Sequence, residues 1–155
     1  MKNLSLILLL AAAVPVCAQT DRTGAIKGLV EVKSYDFHAT SATAMDGMVK
    51  NLTSEYLVKM TPDSIIGSLP YFGRANAPTM DGDGISFTTK VFSYDTRPTK
   101  KGGWEITIRP KDDAKRFVGQ LYLSIRSNGL TTLRVMAPNK DPISFDGEIT
   151  SPGAQ

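Results

Sequence analysis

The sequence predicts a mainly β protein, an antiparallel β-sandwich or barrel of about eight to nine strands with a short N-terminal helix. Three observations predict it. Apolar and polar residues alternate in short runs, turn-forming residues separate these runs at close spacing, and no helical or βαβ rhythm follows residue 33. The alternation also indicates that each sheet has one face toward the core and one toward solvent.

The first residues are typical of a secretory signal. Lys2 precedes a short apolar run, and Val16 and Ala18 occupy the −3 and −1 positions of a cleavage site. We therefore expect cleavage between Ala18 and Gln19 to remove residues 1–18, which gives a periplasmic or extracellular protein. The run is too short for a spanning helix. The alternative is a lipoprotein anchored through Cys17.

The length and composition favour one domain without disulfide bonds. We predict a lead-in over residues 19–34, a single β domain over 35–150 and a frayed tail over 151–155. The only cysteine leaves with the signal, which excludes a disulfide framework and thiol catalysis.

The chain carries 18 Lys and Arg against 15 Asp and Glu, a formal net charge of +3, and Lys2 leaves with the signal. The basic residues are spread out and densest at Lys100-Lys101 and Lys115-Arg116. No basic stripe with interleaved aromatics occurs, so we expect no nucleic-acid binding and interpret both pairs as solvated turns.

The first half begins with a helix and continues as strands. The predicted elements are a helix over 22–33, a strand over 35–40, a loop over 41–53 and a hairpin of strands 55–60 and 64–69. Ile26, Leu29 and Val30 recur at helical spacing. The loop prediction depends on Asp46-Gly47 and on the lack of apolar alternation around it.

The second half is a series of short strands. The predicted elements are a loop over 76–84 and strands over 85–90, 92–99, 104–109, 117–125, 130–136 and 143–149. Trp104 begins the clearest alternation and is expected in the core. Phe117 is expected on the buried face of its strand, with Gly119 as a bulge or bend. Asn128-Gly129 predicts a hairpin with a type I′ turn.

The segment Leu69 to Ala75 combines proline, two aromatics, a glycine and an arginine. We interpret it as a strand end that folds back over the domain. Tyr71 and Phe72 are expected to point in opposite directions, one into the core and one to the surface. The Arg74 guanidinium is suited to stacking, to bidentate contact with a carboxylate, or to a sugar; the competing interpretation is a structural arginine bound to loop carbonyls.

Metal and nucleophile chemistry have little support. His38 is the only histidine, so a histidine metal site or a triad would have to use it, and we expect an ordinary strand residue. The run Asp81 to Gly84 resembles the start of a calcium loop, but Phe92 stands where a bidentate Glu is required. We therefore predict no metal and no cofactor.

Two acid pairs raise the possibility of glycoside hydrolysis, Asp112 with Asp113 and Asp146 with Glu148. The first pair is expected in a turn and the second on the wet face of the last strand, so we interpret both as solvated charge. Ser64 follows Asp63 in a pattern typical of bacterial O-glycosylation. Asn51 begins a weaker N-linked pattern.

Five segments, in this order, carry a resemblance to a known family. They are Leu69-Pro70-Tyr71-Phe72-Gly73-Arg74-Ala75, Gly84-Ile85-Ser86-Phe87, Lys100-Lys101-Gly102-Gly103-Trp104-Glu105-Ile106, Ser127-Asn128-Gly129 and Ile143-Ser144-Phe145-Asp146-Gly147-Glu148-Ile149. The chain resembles the domain-of-unknown-function 4251 family of secreted proteins from Bacteroides-type bacteria. The resemblance implies a secreted, single-domain, β-rich protein with no assigned activity, and it transfers no catalytic residues.

Three functions follow as hypotheses. The leading one is a non-catalytic envelope module that binds a partner or small ligand through Tyr71, Phe72 and Arg74. The second is a hydrolase of glycan or peptide whose carboxylates would be Asp81, Asp83, Asp146 or Glu148. The third is a calycin-like carrier that holds a small apolar molecule inside a barrel.

Overall fold

The computed structural model describes residues 17–74 and 84–154. Its elements, in chain order, are α1 Cys17–Val32, β1 Tyr35–Thr43, β2 Val49–Met60, β3 Ile65–Pro70, β4 Gly84–Thr89, β5 Phe92–Pro98, β6 Trp104–Pro110, β7 Gln120–Ile125, β8 Leu130–Met136 and β9 Ile143–Thr150. In these residues the nine strands form one antiparallel sheet in the order β4-β3-β2-β1-β9-β8-β7-β6-β5. The sheet curls into a nearly closed, barrel-like shape, which confirms the predicted class.

The two edge strands of the sheet are consecutive along the chain. β4 pairs with β3 and β5 pairs with β6, and only Lys90 and Val91 lie between them. The Asp112 carboxylate accepts hydrogen bonds from the amides of Lys90 at 2.9 Å and Val91 at 3.3 Å, and from the Thr89 hydroxyl at 2.9 Å. Asp112 therefore provides hydrogen-bond acceptors for the backbone amides at the point where the chain changes its pairing partner.

Large apolar side chains fill the barrel interior. The largest fully buried ones are Tyr35, Phe37, Phe145, Met60, Ile65, Leu69, Ile106, Ile108, Leu121, Leu123, Ile125 and Leu133. The predicted alternation is clearest on β8, where Leu133 and Val135 are buried and Arg134 between them is exposed. Trp104 is only partly buried and packs against this core from the start of β6.

The helix packs against one end of the barrel. The helix predicted over 22–33 is present, although it begins earlier, at Cys17, and ends at Val32. Ile26 and Val30 are buried against the core, which follows from their helical spacing. The predicted signal lies mostly outside the described residues. Of the described helices, none has the length and apolar character needed to cross a membrane.

The loop predicted over 41–53 is wrong. β1 and β2 remain paired through Ser41 with Asn51 and Thr43 with Val49, and only a short turn around Gly47 joins them. Residues 49–51 on β2 are all exposed, whereas Ala42, which pairs with Lys50 from β1, is buried in the core. The start of β2 buries no residue and the buried residues opposite it are small alanines, so the sequence shows no alternation of large apolar residues here and the strands escape a search based on it.

The strand predicted over 117–125 begins later, at Gln120. A 3₁₀ turn over Asp113–Arg116 precedes it, because the Asp112 carboxylate also accepts a hydrogen bond from the Ala114 amide and caps the turn. Phe117 is 40% exposed, and Val118 takes the buried position instead.

The Asn-Gly hairpin is present, but its turn type differs from the prediction. Gly129 has φ +89°, whereas Asn128 is absent from the positive-φ residues of the described chain. The Arg126 amide donates to the Leu130 carbonyl and the Gly129 amide donates to the Arg126 carbonyl. This is a three-residue loop that ends in a left-handed glycine rather than a type I′ turn.

Candidate functional site

Tyr71 anchors the segment that follows β3. Its side chain is 8% exposed, and its hydroxyl donates to the backbone carbonyls of Arg74 at 2.6 Å and Asp141 at 3.2 Å. Burial raises the pKa of the Tyr71 hydroxyl. The Asp141 amide also donates to the Arg74 carbonyl at 3.1 Å. The segment is therefore fastened to the connection that precedes β9.

Gly73 makes this arrangement possible. A Cβ atom at this position would lie 2.5 Å from the Tyr71 hydroxyl oxygen and 2.8 Å from the ring carbon that carries it. The Tyr71 ring thus passes directly beside Gly73 on its way to the Arg74 carbonyl. Only glycine leaves room for this contact.

Two lysines contact the aromatic pair. Lys140 places its ammonium 4.9 Å from the centre of the Tyr71 ring and donates to the Gly84 carbonyl at 2.8 Å. Lys50, from the extended β1–β2 hairpin, places its ammonium 4.3 Å from the centre of the Phe72 ring. Both distances are within the range of cation–π attraction.

Phe72 and Arg74 point outward from this frame. Phe72 is 38% exposed, so the predicted division of the aromatic pair is confirmed, with Tyr71 in the core and Phe72 at the surface. Arg74 is exposed, and its guanidinium has no hydrogen-bond or ion-pair partner within the described residues. Its backbone, not its side chain, serves the fold.

A groove of about 310 Å³ lies beside these side chains. It is lined by the tip of the β1–β2 hairpin, by Phe72, Gly73 and Arg74, and by Asp141. A second groove of about 460 Å³ shares Phe72 with the first and is also lined by Tyr56 and Ser68. We call Phe72, Gly73, Arg74 and the 310 Å³ groove the aromatic-arginine corner.

The corner offers binding groups rather than reactive ones. Arg74 presents planar donors, Phe72 presents an apolar ring, and Met45 on the hairpin tip is 68% exposed. Asp46 is partly engaged, because one of its carboxylate oxygens accepts from the Met48 amide at 3.0 Å. This combination suits a ligand with a carboxylate and an apolar group side by side.

His38 lies on β1 as a strand residue. Its Nδ1 is 3.8 Å from the Glu55 carboxylate, and its Nε2 is buried without a hydrogen-bond partner. Across residues 17–74 and 84–154, no three His, Cys, Asp or Glu side chains come together as a metal site. Asp81 and Asp83, the calcium-loop candidates, lie outside the described residues.

Two of the carboxylates proposed for hydrolysis, Asp146 and Glu148, have partners within the described residues. Asp146 and Glu148 both line an open groove of about 450 Å³ on β9. Asp146 accepts from the Thr132 hydroxyl at 2.7 Å, and Glu148 pairs with Arg22 at 2.9 Å. Both carboxylates are therefore engaged in the fold rather than placed as a free acid and base pair.

The two glycosylation candidates lie on β2 and in the turn after it. Ser64 directly precedes β3, and its hydroxyl is 2.9 Å from the Thr61 hydroxyl inside the turn. Asn51 is exposed on β2.

Sequence reasoning missed a second surface, at the helix end of the barrel. Arg22, Lys100, Lys101 and Arg126 line one groove of about 950 Å³. The lysine pair is visible in the sequence, but its convergence with the two arginines is not, because the three segments are far apart along the chain.

Comparison with known proteins gives a family and a fold. The family model described as a domain of unknown function, DUF4251, matches residues 18–149. The chain belongs to this family. A crystal structure of a DUF4251 family protein from Bacteroides eggerthii is similar, with a TM-score of 0.64 and 12% sequence identity, over 86% of this chain and 91% of that chain. At that identity the likeness concerns the fold alone, and no curated protein matches.

Proposed function

We propose that this DUF4251 protein is an exported, non-catalytic binding module of the cell envelope, and that its aromatic-arginine corner captures a partner. The observation that carries the proposal is the contrast within three residues. Tyr71 is buried and hydrogen bonded to two carbonyls. Phe72 and Arg74 are exposed on the backbone segment that Tyr71 fixes in place. A rigid backbone lowers the entropy that binding would otherwise cost.

Export is supported by the sequence of the first 18 residues and by the start of the family match at residue 18. A charged start, a short apolar run and the spacing of Val16 and Ala18 together favour removal before Gln19. The match therefore spans the domain that would remain. Mass spectrometry of the protein purified from its host would give the mature N-terminus, and a lipid on Cys17 would establish the alternative anchor.

The corner favours a peptide or small ligand that carries a carboxylate next to an apolar group. Arg74 would hold the carboxylate through two parallel hydrogen bonds, and Phe72 would contact the apolar group. The filled interior of the barrel weighs against the carrier hypothesis, since fully buried side chains occupy the space that an apolar cargo would need. The partnered state of Asp146 and Glu148 weighs against the hydrolase hypothesis.

The test uses the chain from Gln19 to Gln155 and a fluorescent panel of short peptides that end in an apolar residue. Each peptide is made with a free C-terminal carboxylate and as its amide. We expect some carboxylate peptides to bind, their amides to bind at least about tenfold more weakly, and Arg74→Ala to abolish binding with a melting temperature unchanged within a few degrees.

Arg116→Ala is the matched control, because Arg116 is also exposed but lies in the 3₁₀ turn. It should bind as the unchanged protein does. Binding that persists in Arg74→Ala would contradict the proposal. If Arg74→Ala unfolds the domain, Arg74 is structural.

A further inference from the structure

The groove at the helix end of the barrel is the largest of those described above, at about 950 Å³. Three separate segments form it: the first half of α1, the β5–β6 connection and the β7–β8 turn. Each contributes cationic side chains, namely Arg22 from the helix, Lys100 and Lys101 from the first connection and Arg126 from the second. We call this surface the basic groove.

Most of this positive charge is not neutralised inside the protein. Arg22 pairs with Glu148 at 2.9 Å, whereas Lys100, Lys101 and Arg126 take part in none of the ion pairs of the described chain. Each of these three side chains is exposed.

Among the groove-lining residues whose side chains the structure describes, Glu105 is the only acid. It lies directly across from Arg97 on the neighbouring strand β5. The single negative charge of Glu105 does not balance the positive charges of Lys100, Lys101 and Arg126, so the groove has a positive excess.

Neutral polar groups complete the lining. Thr99, Ser124, Ser127 and Asn128 line the groove with the cations. The Asn128 side-chain carbonyl already accepts from the Leu130 amide, which leaves its amino group as a donor. Within the described part of the chain none of the lining residues is aromatic, so these residues offer no stacking platform of the kind that bases and neutral sugar rings use.

We propose that the basic groove binds a soluble ligand that carries two or more phosphate groups. Phosphate oxygens accept from several donors at once, as the cluster of ammonium, guanidinium, hydroxyl and amide groups offers. The concave shape favours a soluble ligand over a bilayer, whose flat surface cannot reach into a groove. The site lies apart from the aromatic-arginine corner and does not depend on its function.

Inorganic tripolyphosphate is the probe, titrated by calorimetry into the chain from Gln19 to Gln155 at low salt. We expect saturable binding that weakens steeply as sodium chloride is added, because bound charge is screened. The double variant Lys100→Ala with Lys101→Ala should bind at least about tenfold more weakly, as should Arg126→Ala.

The matched control is Lys115→Ala with Arg116→Ala, which removes the other adjacent basic pair of the chain. All of these side chains are exposed, so melting temperatures should agree among the variants. The control should bind within about twofold of the unchanged protein. Equal loss in both double variants would show a diffuse charge effect and overturn the proposal, as would absence of saturable binding.

Vesicles of phosphatidylglycerol and phosphatidylcholine provide the second arm. We expect no cosedimentation with them at the salt concentration where tripolyphosphate binds. Binding to vesicles but not to tripolyphosphate would overturn the proposal in favour of a membrane headgroup.

Discussion

The two ends of the barrel are built in opposite ways. The corner lies where β1 ends and β9 begins, near the pairing of Thr43 with Ser144, and the basic groove lies where β1 begins and β9 ends, near the pairing of Asp36 with Thr150. At the corner one buried ring fixes the backbone through two carbonyls. At the groove exposed charges stand on separate segments, and the packing of a helix holds one of them in place.

The two ends are therefore suited to two different kinds of ligand recognition. A corner fixed by a buried side chain can present Phe72 and Arg74 in one geometry, which suits recognition of shape. A groove of long, exposed cations adapts to the spacing of the charges it meets, which suits recognition of charge. The comparison can be tested by substitutions that destabilise the packing at one end of the barrel and leave the other end unchanged.

The largest effect is expected at the corner. Tyr71→Ala should lower the free energy of unfolding by about 3–5 kcal/mol, because it empties a buried ring site and removes the hydroxyl that donates to the Asp141 carbonyl. Phe72→Ala, one residue away, should cost less than about 1 kcal/mol, since a large part of its ring is already in water. Chemical denaturation of both variants gives the two values. Similar losses would mean that the corner is not anchored as described.

The sequence reveals the corner because its special residues are contiguous. Proline, two aromatics and glycine within one segment are unusual, and the opposite orientations of Tyr71 and Phe72 follow from extended geometry. The strands with a buried face are predictable in the same way, as Leu133 and Val135 on β8 illustrate.

The features that escape the sequence depend on contacts between distant residues or on the absence of a buried face. The exposed start of β2 has no alternation to detect. The bonds from Asp112 to Lys90 and Val91 cross more than twenty positions, and a single aspartate gives no sign of them. The basic groove likewise joins Arg22 to Arg126, and only the fold brings them together.

An intermediate effect is expected at the groove end. Ile26→Ala should cost about 2–3 kcal/mol, because Ile26 is 4% exposed and packs beside Gly129 in the β7–β8 turn. Val32→Ala is the control on the same helix, since Val32 is 57% exposed and should be nearly neutral. Loosening the helix should also weaken tripolyphosphate binding, while peptide binding at the corner stays unchanged. Loss at both sites would show that the two ends are coupled.

The smallest effect is expected at the junction between the two ends, because Asp112 remains accessible to water. The segment over residues 84–98 runs from the corner to the groove and changes its pairing partner at Lys90 and Val91. Amide donation from Lys90, with further hydrogen bonds from Thr89, Val91 and Ala114, lowers the pKa of the Asp112 carboxyl below its ordinary value. Asp112→Asn keeps the shape but removes the charge that these donors favour, so the melting temperature at neutral pH should fall.

The pH dependence identifies the cause of that loss. Because the folded pKa of Asp112 is lowered, its stabilising contribution is present in full above the unfolded pKa of about 4 and disappears as the pH falls through the folded pKa. The melting temperatures of Asp112→Asn and the unchanged protein should therefore converge in acid. Asp113→Asn is the control, since Asp113 is exposed and pairs only loosely with Arg116 at 3.9 Å. If the difference in melting temperature between Asp112→Asn and the unchanged protein stayed constant down to acid pH, the lower stability of the variant would come from altered packing. The charge of Asp112 would then not stabilise the junction.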